Sequence, residues 1–203
     1  MRVANRFFEK IGGEIMGSLS LAKAKEILAK HTKEAHLFVH AAAVSAAMEA
    51  MAEHYGADAQ HWAAIGWLHD VDYEKFPTEH CRHVRELLAP EGVSEEDIGS
   101  IISHGYGIVT DEREPQTDME KCLFAVDELT GIVHAYALMR PEGMKGMEVK
   151  SLKKKFKDKR FAAKCDRELI QKGIERLGLD LSVVMECCIN GMQKHEAELG
   201  LGN

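Results

Sequence analysis

Apolar residues recur at helical spacing along most of the chain, and no segment alternates convincingly at period two. Leu37, Ala41, Val44, Met48 and Met51 fall four and three residues apart, which draws one stripe and predicts a helix over 34–54 that Gly56 closes. Residues 58–69 are apolar on nearly every side through Trp62, Ile65, Trp67 and Leu68, so that helix should be central. Pro77 and Thr78 predict a helix start, with Val84, Leu87 and Leu88 as its buried face and Pro90 as its stop. Ser94 followed by Glu95, Glu96 and Asp97 predicts another start, since these side chains suit free amides and a positive dipole end. That helix should end at Gly105, and the polar stretch 105–117, with Gly107 and Pro115, reads as a surface loop beside the site, where a lid is conceivable. Asp118 opens a long helix to about Met139, Pro141 and Gly143 begin a connection, and helices follow over 150–160, 166–177 and 182–199. The fold class is all-α, without internal repeats.

A chain of 203 residues suits one core. The expected division is an N-terminal extension over 1–18 and a helical body over 19–203, with its chemistry at about 34–140 and C-terminal helices over 150–200. Hydrophobic content of 45% and only four prolines argue against disorder. No run reaches the roughly 18–20 uninterrupted apolar residues that span a bilayer, and the start of the chain lacks a secretory apolar core, so a cytoplasmic protein with no membrane partner is expected. Cys81, Cys122, Cys165, Cys187 and Cys188 are odd in number and lack Cys-x-x-Cys spacing, and they read as reduced, mostly buried thiols. A net charge of −7 argues against coating a nucleic acid. One segment breaks the trend: residues 149–160 hold seven basic side chains against one acidic, leaving −13 on the rest. Lys153, Lys154 and Lys155 could there screen a polyanionic substrate, with a solvated helix face as the competing reading.

His40 lies three residues after Leu37 and four before Val44, so it points toward the core that the stripe faces. His69 and Asp70 are adjacent and project about 100° apart, and only an embedded helix turns both inward. Burying an ionised Asp70 without a cation would cost several kcal/mol, unless the pair sits at a helix end facing solvent. Asp127 follows Leu123 and Phe124 by one turn and shares their face. Two imidazoles and two carboxylates from three core helices form a ligand set for a divalent cation such as Mn²⁺, Fe²⁺, Co²⁺ or Zn²⁺, with Ni²⁺ and Mg²⁺ also compatible.

The order His40, His69-Asp70, Asp127 resembles the H…HD…D signature of the HD phosphohydrolase superfamily. The blocks HAAAVSAAMEAMAEHYG, GWLHDVDYEKFPTEH, FAVDELTGIVHAYALMRP and SLKKKFKDKRFAAKCDRE resemble one bacterial subgroup of it, over residues 33–199. The resemblance implies a single helical bundle of the HD, phosphodiesterase-like type, holding one or two divalent metals and hydrolysing a small phosphorylated molecule such as a nucleotide or related phosphate ester. His80 and His104 resemble the added ligands of dinuclear members, in which the order lengthens to H…HD…H…H…D. His83 rivals His80 on spacing, and with one metal these histidines would be supporting donors or phosphate contacts.

Within HDVDYEK, Asp70 and a further carboxylate, Asp72 or Glu74, could orient the attacking water while Lys75 meets a phosphate, against the competing reading of a solvated charged turn. His134, seven residues after Asp127, could support that ligand from behind. His31, His36, His54, His61 and His195 read as surface, cap or core-edge residues. Two other classes stay open, a di-iron oxygenase of the HD type and a non-catalytic ligand-binding HD module.

Overall fold

The helices start where short polar side chains can accept hydrogen bonds from free amides. In the computed structural model, which describes residues 19–201, Ser20 opens α1 (Leu21–His31), and α2 (Ala35–Tyr55) follows and ends on Gly56 at φ 65°. Asp58 opens α3 (Ala59–Leu68), and after a long turn-rich stretch come α4 (Val84–Leu88) and α5 (Glu95–Ile102), the latter capped by Ser94. Thr117 opens α6 (Asp118–Leu138), α7 spans Val149–Lys157, and Asp166 and Asp180 open α8 (Arg167–Leu177) and α9 (Leu181–Lys194). No strand occurs among the described residues, in accord with the all-α expectation. The extension expected over 1–18 lies outside the described residues.

Alanine and glycine let α2 sit at the centre. Ala41, Ala42, Ala43, Ala46, Ala47 and Ala52 are buried on it, and α3, α6 and α9 pack around it. Gly66 on α3 and Gly191 on α9 lie against its backbone: a Cβ at position 66 would stand 3.1 Å from the Ser45 Cα, and one at 191 would overlap the Ala46 carbonyl. The Ser45 hydroxyl, buried at this crossing, donates to the Ala63 carbonyl at 2.9 Å. By length and composition α2 could cross a membrane, but its apolar side chains are consumed by this packing. One continuous core runs from Leu19 to Leu199.

Three expectations need correction. The helix expected from Pro77 begins only at Val84. Asp72 is buried and accepts from the His83 amide at 3.2 Å and from His80 Nδ1 at 2.8 Å, and Cys81 takes a left-handed backbone at φ 68°, which a continuing helix cannot contain. The basic helix stops at Lys157 because residues 158–165 fold around Arg167, whose guanidinium donates to the carbonyls of Phe156, Ala162 and Cys165. The last helix stops at Lys194, and turns then carry Leu199 back onto the core. Helix α1 buries Ala24, Ile27 and Leu28 and packs on α3.

The loop after α5 is pinned at its far end. Glu120 is fully buried, accepts from the Gln116 and Thr117 amides at 2.8 and 3.0 Å, and pairs with Arg113 at 2.5 Å. Ile108 and Val109, nearer its start, stay exposed.

Gly191→Ala should therefore lower stability by roughly 2–4 kcal/mol, read as a shift of the urea midpoint, because a backbone carbonyl stands where the methyl must go. A second expectation concerns pH. The Asp97 carboxylate, 2.7 Å from His61 Nε2, raises the His61 pKa above its ordinary 6.5 despite the opposing effect of burial. A raised folded-state value means the pair's stabilisation is complete below pH 6.5 and lost as pH rises through the raised value. Denaturant melts of His61→Gln should accordingly fall below wild type at pH 5.5 by about 1 kcal/mol and converge with it at alkaline pH.

Candidate metal centre

Three helices and two turns deliver six side chains to one point. His40 projects from the first half of α2, His69 and Asp70 leave the end of α3, and Asp127 stands near the middle of α6. His80 comes from the turn-rich stretch, and His104 from the 3₁₀ turn Ser103–Gly105 that follows α5. His40 Nε2 lies 3.1 Å from His69 Nε2 and 3.0 Å from Asp127 Oδ1. Asp70 divides its two oxygens. Its Oδ2 is 3.3 Å from His69 Nε2 and 3.6 Å from His40 Nε2, while its Oδ1 is 3.2 Å from His80 Nε2 and 3.7 Å from His104 Nε2. The two outer nitrogens, on His80 and His104, are 3.0 Å apart.

The opposite edge of three rings fixes which nitrogen faces inward. His69 Nδ1 donates to the Gly66 carbonyl at 2.8 Å, and His104 Nδ1 donates to the Ile101 carbonyl at 2.5 Å. A carbonyl only accepts, so each Nδ1 carries the hydrogen and a neutral ring turns a bare Nε2 lone pair to the centre. His80 does the same against the Asp72 carboxylate. Lone pairs and carboxylate oxygens thus face one another within hydrogen-bond distance, and only positive charge, as protons or metal, can fill the space between them.

The electrostatics express that demand. Burial alone would lower the His69 pKa, but the Asp70 and Asp127 carboxylates lift it to about 9. Burial opposes His80 as well, yet Asp70 and Asp72 push it up to about 12. For the carboxyls burial acts upward and is overcome: His69 and the His104 and His80 rings hold Asp70 well below the usual carboxylate range, and His40 and His69 do so for Asp127. Four imidazoles around two carboxylates could hold one or two divalent cations, and Asp70 lies between the His40–His69–Asp127 group and the His80–His104 pair.

The centre forms one wall of a cleft of about 410 Å³ that Tyr73, Ile108, Val109, Glu128 and Lys164 also line. Tyr73 stands edge-on to the His80 ring, with centroids 5.3 Å apart. Burial and the neighbouring Asp127 raise the Glu128 pKa. Sequence reasoning passed over Glu128 and Lys164, which give no signal beyond their position beside Asp127 and within the C-terminal block.

Several expected site residues stand elsewhere. Asp72 is buried behind His80 and holds that ring instead of reaching the cleft. Glu74 turns away and accepts from the Lys33 and Glu34 amides at 2.8 and 3.1 Å, completing the start of α2, while Lys75 meets His31 Nδ1 at 2.8 Å. Lys153 bonds to Ser182, Lys155 lies over the Tyr136 and Phe161 rings, and none of Lys153, Lys154 and Lys155 lines the cleft. His83 stacks on Phe76 and bonds to Glu86 at 3.0 Å, which leaves the inner position to His80. His134 donates to the Leu199 carbonyl at 3.0 Å and does not support Asp127. Cys81 is a free, buried thiol, as expected, and its Sγ lies 3.8 Å from His104 Nε2. Burial would raise its pKa, but His104 and His80 bring it down to about 7.

No curated protein and no solved structure matches the chain significantly. A family model does: the one described as HD domain matches residues 37–132, a span that contains His40, His69, Asp70, His80, His104 and Asp127. Over those residues, just under half of its length, this chain is similar to the HD domain.

Proposed function

We propose that the chain is a metal-dependent phosphohydrolase that cleaves a phosphate ester or phosphodiester bond in a small molecule, a nucleotide or related compound. The observation that carries this reading is Asp70 between two groups of inward-facing nitrogens at the wall of an open cleft. His40, His69, Asp127 and Asp70 Oδ2 would hold one divalent cation, and His80, His104 and Asp70 Oδ1 a second. A cation so held acidifies a bound water and neutralises charge on a phosphoryl oxygen.

The chain's own groups supply position. The Gly66 and Ile101 carbonyls and the Asp72 carboxylate lock three imidazoles in the ligating tautomer, so no reorientation is needed when a cation arrives. Lys164, at the cleft edge, provides the positive charge for a substrate phosphate, and Tyr73, Ile108 and Val109 offer apolar surface to the rest of the molecule. A cleft of about 410 Å³ suits a mononucleotide-sized ligand better than a polymer. A reducing cytoplasm is the compartment that accords with five free cysteines.

Metal content by elemental analysis should separate the two groups of ligands. Asp70→Ala should lose nearly all bound metal, His40→Ala the portion held with Asp127, and His80→Ala the portion held with His104. Equal metal content in all three variants and wild type would remove the site. For the reaction, phosphate release from nucleotides and phosphate esters with Mn²⁺ or Co²⁺ should stop on chelation, and Lys164→Ala should raise KM about tenfold with kcat changed less than threefold. A di-iron oxygenase would use the same six side chains. Two equivalents of iron with oxygen uptake, and no phosphate release from any ester, would replace the hydrolase reading with that one.

A further inference from the structure

We propose that Cys81 is a thiolate ligand to the second cation position, making it a nitrogen, sulfur and oxygen site with His80, His104 and Asp70. This inference rests on the metal-dependent reading above and adds to it a difference in kind between the two positions. Cys81 is 1% exposed and follows His80 directly in the chain. Its Sγ lies 3.8 Å from His104 Nε2, and the donor atoms of His80, Cys81 and His104 all fall within 4.8 Å of one another.

The histidine beside it independently calls for a ligand. His104 is 4% exposed, and in its neutral form its one N–H is spent on the Ile101 carbonyl. Its Nε2 faces His80 Nε2 at 3.0 Å and Asp70 Oδ1 at 3.7 Å, and in their neutral-imidazole and carboxylate forms neither offers a hydrogen. A tetrahedral divalent cation with nitrogen at about 2.0 Å and sulfur at about 2.3 Å separates two nitrogens by about 3.3 Å and nitrogen from sulfur by about 3.5 Å. The observed 3.0 and 3.8 Å lie within a few tenths of those spacings.

Space for the thiol is made from two sides. A Cβ at Gly105 would stand 2.6 Å from Cys81 Sγ, so the glycine after His104 leaves the room the sulfur occupies. The left-handed backbone at Cys81, φ 68°, lies in a turn closed by the Arg82 amide donating to the Glu79 carbonyl at 3.0 Å. On binding, the thiol proton leaves to solvent and the sulfur electron pair goes to the cation. The position with Cys81 would then favour zinc, cobalt or ferrous iron over magnesium, while the position built from His40, His69, Asp127 and Asp70 keeps only nitrogen and oxygen.

The test is an absorbance titration of the metal-free full chain with Co²⁺, in wild type, Cys81→Ser and Cys81→Gly. The glycine variant removes the thiol at a backbone angle glycine adopts without strain, so it remains informative if the serine variant folds poorly, and far-ultraviolet circular dichroism reports folding of both. In wild type a thiolate-to-cobalt charge-transfer band should grow in the near ultraviolet with one of two equivalents. Both variants should lack the band and bind that equivalent at least tenfold more weakly, while the other equivalent keeps its affinity. Cobalt bound by wild type without the band, or the same band in both variants, overturns the role of Cys81 and leaves the metal centre standing. A wild-type chain that takes up no cobalt overturns both.

Discussion

Four imidazole nitrogens and two carboxylates converge inside a helical bundle, and three of the rings, in their neutral form, give their one hydrogen to an acceptor behind them. Such a cluster is repulsive unless positive charge occupies its centre, and much of the surrounding architecture makes sense as the means of holding it together. The end of α3 has to release two adjacent side chains into the core, residues 71–83 have to turn back with His80, and the 3₁₀ turn after α5 has to present His104. Each of these segments gives up regular structure where the centre requires it, with Asp72 collecting the resulting free amide and ring nitrogen.

The scaffold that allows this is made of small residues. Close approach of α3 and α9 to α2 through Gly66 and Gly191, and of α8 to α6 through Gly173, leaves little freedom for the helices that carry His40 and Asp127. A ligand set spread over helices that slide past one another would not keep nitrogens and oxygens near 3 Å apart. Rigidity here is a consequence of missing side chains, and it is the reason a mutation far from the centre, at the back of α2, bears on the centre's geometry.

Much of this is written locally. The stripe on α2 and the apolar face of α6 orient His40 and Asp127, and the all-round apolar character of α3 marks it as central, while a His-Asp pair at its end could still have faced solvent until the neighbouring helices are placed. What could not be read locally is set by partners distant in the chain. Pro77 and Thr78 have the chemistry of a helix start, but a buried carboxylate at Asp72 and the left-handed Cys81 decide against one. Glu74 looks like a free acid next to the ligands, yet it caps a helix forty residues earlier. Lysines 153–155 are the conspicuous basic cluster, while Lys164 reaches the cleft because Arg167 gathers the carbonyls of the intervening loop.

If the centre is as described, its two halves share one carboxylate and differ in their remaining donors, so a cation on one side should alter the other through Asp70. The direct measurement is anomalous scattering from crystals soaked in Mn²⁺ and, separately, Zn²⁺. Two peaks flanking the Asp70 carboxylate, about 3.5–4 Å apart, are the result expected of a bridged pair. Peaks confined to surface carboxylates, with the six side chains unmoved and no density between them, would contradict the account.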